Sequence, residues 1–130
     1  MHPAVRSLPL KLLPQPLAIA RLAPDADVPA WALRGSFVSV IRTVAELSVV
    51  APDAAVPAHV QAERGWRALH VDCTLDFGLT GILAALAVPL AEAEVSIFAL
   101  STYATDYVLI RESRLPTALE ALRAAGHTVV

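Results

Sequence analysis

Asparagine does not occur anywhere in this 130-residue chain. Any scheme that needs an Asn side chain is therefore excluded, an acylphosphatase-like site among them. Cysteine occurs once, as Cys73. No intrachain disulfide can form, and nothing points to an oxidising compartment. Charge is scarce: Asp, Glu, Lys and Arg make up 17% of the chain, against about 25% in an ordinary domain. With 56% apolar residues, the chain is too dry to be disordered. The ten cations do not cluster and the net charge is −2, so nucleic acid is not an expected partner. Long hydrophobic runs are missing too. The longest uncharged stretch, 77–91, has 15 residues and contains Pro89, whereas a spanning helix needs about 20. No membrane partner is expected. The N-terminal apolar stretch is cut by Pro9, Lys11, Pro14 and Pro16 and does not read as a signal peptide. The expected compartment is the cytoplasm.

What is present is a run of short β-like segments, then a clearer alternation of strands and helices. Apolar runs at 8–13 and 17–22 are bounded by prolines and predict strands. Residues 30–33 suggest one helical turn. Segments 37–41 and 47–50 are β-branched and predict a strand pair joined by 42–46. In the second half, 66–71 alternates as a strand. Leu79, Ile82, Leu83, Leu86 and Leu90 recur at helical spacing, predicting an amphipathic helix over 79–92 with a disturbance at Pro89. Strands are expected at 95–100 and 107–110. A second helix should open at Pro116, bury Leu119 and Leu122, and end at Gly126, before a short strand at 129–130.

Strand, helix, strand, strand, helix, strand is the split βαβ, or ferredoxin-like, order. A weak internal repeat is visible at an offset of 60, which sets Val40 against Leu100 and Glu46 against Asp106. The expected class is α+β: two ferredoxin-like (βαββαβ) units, with antiparallel sheets and helices on one face. The first unit, 1–65, would have degenerate helices, and the second, 66–130, would be complete.

Motifs for common chemistry are missing. There is no GxGxxG and no Walker loop. His70 and Cys73 are the only close pair of metal-ligand types, and nothing nearby completes a set, so no metal and no cofactor is expected. Ser101, His70 and Asp106 could be written as a triad, but no nucleophile elbow accompanies them. Two segments stand out. One is Asp76-Phe77-Gly78-Leu79-Thr80-Gly81-Ile82, the approach to the first strong helix. Its glycines allow close backbone approach, and helix N–H groups favour a carboxylate. The alternative is a plain loop in which Thr80 or Asp76 caps the helix. The other runs through Ser101, Thr102, Tyr103 and Asp106, a polar hairpin connection able to hold an ammonium group. It could equally be a solvated turn.

The stretch GLTGILAALAVPLAEAEVSIFALSTYATDYVLI, residues 78–110, resembles the ACT domain, with Gly78 and Gly81 at the glycine loop and Ser101-Thr102 at the turn. FVSVIRTVAELSVVAP, AERGWRALHVD and SIFALSTYATDYVLI are similar, in that order, to small stand-alone tandem-ACT proteins and to the ACT units of the cytosolic arginine sensor. The resemblance covers about residues 8–130. It implies a non-catalytic regulatory module that binds a small effector, often an amino acid, at an ACT–ACT interface. It implies a homodimer and a separate regulated protein. It also places Thr102, Tyr103 and Asp106 where the arginine sensor holds its ligand. The first unit lacks a glycine loop like that at 78–81, so one good site per chain is expected. The other possibility is a ligand-free scaffold for protein association.

Overall fold

The computed structural model describes residues 7–130. Its contacts divide the chain into two compact units. One joins the residues up to Pro14 to Arg67–Val130, and the other is Gln15–Trp66.

The first of these contains β1 (Pro9–Leu12), the C-terminal half of β5 (Ala62–Val71), α1 (Ile82–Glu92), β6 (Ile97–Ser101), β7 (Asp106–Arg111), α2 (Leu115–Ala124) and β8 (Thr128–Val129). β7 pairs with β5 and β6. β1 pairs antiparallel with β5, Leu10 opposite Val71, and parallel with β8, Leu10 opposite Val129. The strand order is thus β8-β1-β5-β7-β6. A plain split βαβ would set β8 directly beside β5, but here β1 occupies that place. This differs from the expected division at 65/66. The N-terminal strand belongs to the C-terminal unit, because its backbone groups are satisfied there and not beside its sequence neighbours.

Period-2 burial explains the sheet. Leu69 and Val71 from β5, and Val108 and Ile110 from β7, share one apolar core with Leu8 and Leu10. Ile82, Leu86 and Leu90 recur every four residues on α1, and Ala118 and Leu122 face the same core from α2. Both helices therefore cover one face of the sheet. Leu79 and Leu83, expected on the buried stripe, are 53% and 40% exposed. The helix begins three residues later than the periodicity predicts, because Gly81 takes a left-handed conformation, φ 79°, immediately before it. Gly81 is the N-cap, and neither Thr80 nor Asp76 caps the helix. At its other end, α2 stops as expected. Gly126 has φ 99°, its N–H donates to Arg123 O, and His127 N–H donates to Leu122 O, a Schellman closure.

Pro89 lies inside α1, which nonetheless runs on to Glu92. A proline has no N–H, so Ala85 O loses its i+4 donor. His127 supplies a substitute: its Nε2 donates to Ala85 O at 2.9 Å, while its Nδ1 accepts from Leu8 N–H at 3.1 Å.

The second unit contains β2 (Leu17–Leu22), β3 (Ser39–Arg42), β4 (Leu47–Pro52) and the start of β5. Its strand order is β3-β4-β2-β5, with every neighbouring pair antiparallel. The two connections that would carry helices hold only single 3-10 turns, Ala30–Leu33 and Asp53–Ala55. Its core is built mostly from Ala and Val, with one Leu: Ala18, Ala20, Ala32, Leu47, Val49, Ala51 and Val56.

The hairpins of the two units match at an offset of 59, one less than the sequence alignment suggested. Arg42 opposite Leu47 closes one, and Ser101 opposite Asp106 closes the other. Each has a Thr at the first loop position whose N–H bonds the carbonyl three residues on: Thr43 to Glu46 O at 2.9 Å and Thr102 to Thr105 O at 2.8 Å.

Arg64 holds the second short turn. It donates to Asp53 Oδ1 at 2.7 Å, Asp53 O at 3.1 Å, Val56 O at 3.0 Å and Pro57 O at 2.9 Å. The other Asp53 oxygen accepts Gly65 N–H at 3.0 Å. Arg64→Ala is expected to cost about 1–2 kcal/mol in chemical denaturation, since several acceptors lose a charged donor but the site is partly solvated. Arg64→Lys should recover little, because a single ammonium cannot reproduce the fork.

Candidate functional site

The approach to α1 and the β6–β7 hairpin face each other across a cleft of about 340 Å³. Asp76, Phe77, Leu79, Gly81 and Ile82 line one side, and Ser101, Thr102, Tyr103 and Asp106 line the other. Nine of the eleven expected site residues are thus brought together. Gly78 and Thr80 are exposed and do not line the cleft. Leu75, Leu83, Ala104 and Thr105 also line it and were missed. Leu75 is the one with a readable signal: it is an apolar residue in the loop that leads into α1, one position before the segment singled out.

Backbone hydrogen bonds fix both walls. Asp76 Oδ1 accepts Gly78 N–H at 2.7 Å, and Asp76 O accepts Leu79 N–H at 3.0 Å. This turn delivers the chain to Gly81. A Cβ at Gly81 would meet nothing within 4 Å, so the residue is required by its φ and not by crowding. The first helical bond goes from Ala85 N–H to Gly81 O. The amides of Ile82, Leu83 and Ala84 therefore have no partner within the helix, as at any helix start.

On the hairpin side, Ser101 Oγ donates to Asp106 Oδ1 at 2.6 Å. Thr105, 7% exposed, donates its hydroxyl to Val71 O at 2.6 Å, tying the loop to β5. Leu75 N–H donates to Ala104 O at 2.7 Å, which joins the two walls at their base. Phe77 and Tyr103 meet edge to face at 5.0 Å although they are 77% and 85% exposed. They separate the cleft from a second hollow of about 280 Å³, lined by Thr74, Leu75, Asp76, Phe77 and Tyr103.

The electrostatics follow from the lining. Asp76 and Asp106 are its two carboxylates, and no Lys, Arg or His lines the cleft. Helix N–H groups supply the opposite polarity at the α1 end. A group carrying both charges has complementary places for each.

Other combinations considered from the sequence are not assembled. His70 stacks on Tyr107 at 4.6 Å, and its Nδ1 lies 3.9 Å from Asp72 Oδ1. Ser101 bonds Asp106 directly, with no imidazole between them, so the Ser101–His70–Asp106 triad does not form. Cys73 is exposed. Among the described residues, no group of three His, Cys, Asp or Glu could hold a metal ion, and no helix is long and apolar enough to cross a membrane.

Residues 61–124 match the ACT domain family model, and residues 16–59 match a separate model for an N-terminal domain. A structure of a protein from Agrobacterium tumefaciens shares 34% identity with the chain at a TM-score of 0.92, covering 97% of this chain and 94% of that one. A Vibrio cholerae protein of unknown function, named a possible transport protein, shares 18% identity at a TM-score of 0.75, with 92% and 91% covered. The regulatory subunit of aspartate kinase from Thermus thermophilus shares 14% identity at a TM-score of 0.59, with 86% and 93% covered.

Proposed function

Residues 61–124 belong to the ACT domain family, and from that premise we propose that the chain is a non-catalytic cytoplasmic sensor that binds a free amino acid in the cleft between α1 and the β6–β7 hairpin. The observation that carries this reading is the polarity of that cleft, with helix amides at one end and Asp76 and Asp106 in its lining. The ligand carboxylate lies on the α1 side, at the amides of Gly81, Ile82 and Leu83. Those of Gly78 and Leu79 are already taken by Asp76. The α-ammonium faces Asp76 or Asp106, and such charge-assisted bonds are stronger than neutral ones. Phe77 and Tyr103 close over the ligand's side chain. Binding orders the two loops and alters affinity for a regulated protein, with a coupling of about 1–3 kcal/mol.

We also read the chain as two ferredoxin-like units. The β5-β2-β4-β3 order and the matching Thr43 and Thr102 turns support this for the helix-poor half.

Thermal unfolding against each common amino acid at millimolar concentration tests the sensor reading. A ligand at 100 times its dissociation constant should add about 2.7 kcal/mol, which moves the midpoint several degrees at this size. Gly81→Asp should weaken that ligand at least tenfold, by setting a carboxylate against a carboxylate. Gly81→Asn should not, since both residues tolerate the left-handed backbone and the site is open. Equal binding by the two variants overturns the carboxylate placement.

A second reading has its own observation. Phe77, Leu79, Leu83 and Tyr103 form an exposed apolar rim, of the kind that marks association surfaces. Under that reading the chain is a ligand-free homodimeric scaffold. The amino-acid panel is then flat, and Tyr103→Ser shifts the chain towards monomer in sedimentation.

A further inference from the structure

We propose that His127 is a proton-sensitive latch that fastens β1 to α1. The imidazole is 5% exposed, and with Thr105 it is one of two buried polar residues among those described. Both ring nitrogens are engaged with main chain. Ala85 O can only accept, so Nε2 carries the hydrogen; Leu8 N–H can only donate, so Nδ1 offers its lone pair. That fixes the neutral Nε2–H tautomer. A proton taken from solvent adds to the Nδ1 lone pair and sets N–H against N–H at Leu8. The bond to Leu8, the residue that leads into β1, is lost, while the bond to Ala85 O survives.

The surroundings offer the charged ring no compensation. The elements packed about it carry Lys11 on β1, Glu92 on α1, and Glu120 and Arg123 on α2; all four are exposed. β8 is Thr128–Val129 and has no ionisable side chain. No buried carboxylate exists among the described residues. A buried imidazolium without a counter-charge is costly, and the cheaper outcome is for the contact to open. What opens is specific. Leu8, just before β1, and Leu10 within it lie in the shared core, and Ala85 is the residue whose N–H starts the helical ladder of α1. Acid therefore loosens β1 from α1 before it unravels the remaining sheet. Pro89 makes the latch necessary, because without it Ala85 O would have a backbone donor and the ring would be dispensable to α1.

Two measurements on the full chain test this. The ¹⁵N spectrum of the His127 ring at pH 8 should show a protonated Nε2 and an unprotonated Nδ1. Observation of Nδ1–H or of the imidazolium at that pH overturns the proposal. Between pH 8 and pH 5 the unfolding midpoint of the wild type should fall by about 5 °C or more beyond that of His127→Gln. The Gln variant keeps one donor and one acceptor but cannot be protonated. Parallel falls in the two proteins overturn the latch. Should His127→Gln not fold, hydrogen exchange in the wild type decides instead. Lowering pH should increase opening at the Leu8 amide, corrected for intrinsic exchange, more than at β7 amides. Uniform opening is the contrary result.

Discussion

His127→Ala is expected to lower stability by about 3 kcal/mol, and Pro89→Ala should remove part of that loss. Removing the ring leaves Leu8 N–H and Ala85 O without the partners they now have at 3.1 and 2.9 Å. An orphaned buried backbone group costs roughly 1–3 kcal/mol. The ring also leaves a void at a site only 5% exposed. In Pro89→Ala, residue 89 regains an N–H able to reach Ala85 O along the helix. That carbonyl has two lone pairs, so in the single variant it can accept from both donors. Once His127 is also removed, Ala85 O stays satisfied and only Leu8 N–H is orphaned. The double-mutant cycle should show coupling of about 1 kcal/mol, in the range found for residues sharing a partner. Equal costs of His127→Ala in both backgrounds would mean that the ring does not act through Ala85 O. The experiment needs only urea midpoints and slopes for four proteins.

This link was not legible in the sequence, and the reason is physical. Helix and strand periods report neighbours three, four or two residues apart, whereas His127 bonds residues 42 and 119 positions away. Pro89 was the available signal, because a proline inside a helical pattern announces a carbonyl without a donor. The place of β1 was hidden for the same reason. Its apolar run at 8–13 was readable as a strand, but nothing local says that it lies between β5 and β8. By contrast, the cleft was largely legible. Its walls are two local segments whose glycines, hydroxyls and acids differ from the apolar chain around them, and the fold needed only to bring them face to face. The start of α1 was misplaced because Leu79 fits the helical period. What ends that period is the left-handed backbone of Gly81, and side-chain spacing does not register it. The repeat alignment slipped by one residue because two strand pairs with similar apolar patterns fit almost equally well at 59 or 60. Only the hydrogen-bonded turns at Thr43 and Thr102 fix the register.

Gly35→Ala should cost about 3 kcal/mol, while Gly65→Ala should cost about 1. Both glycines lie in the Gln15–Trp66 unit, and both have positive φ, 128° and 76°. Near the left-handed basin, where Gly65 lies, an L-residue pays roughly 1–2 kcal/mol in backbone strain; Gly35 lies outside that basin, so its strain is no smaller. The larger part of the difference lies in space. A Cβ on Gly65 would meet nothing within 4 Å, but one on Gly35 would lie 2.6 Å from Pro52 Cγ and 3.0 Å from its Cδ. A proline ring cannot swing away like the end of a flexible side chain. Pro52 is also held in the β2–β4 ladder opposite Leu17. Relief therefore requires the β4 end or the 35–38 segment to move, and overpacking of this kind costs about 1–3 kcal/mol beyond strain. Because both substitutions are Gly→Ala, the entropy removed from the unfolded chain is the same and cancels in the comparison. Equal losses would show that the contact with Pro52 is relaxed without cost. A gap of about 2 kcal/mol between the two urea curves would place Gly35 as the residue that lets the chain pass against Pro52 before entering β3, in a unit whose small core leaves little surplus stability to absorb the clash.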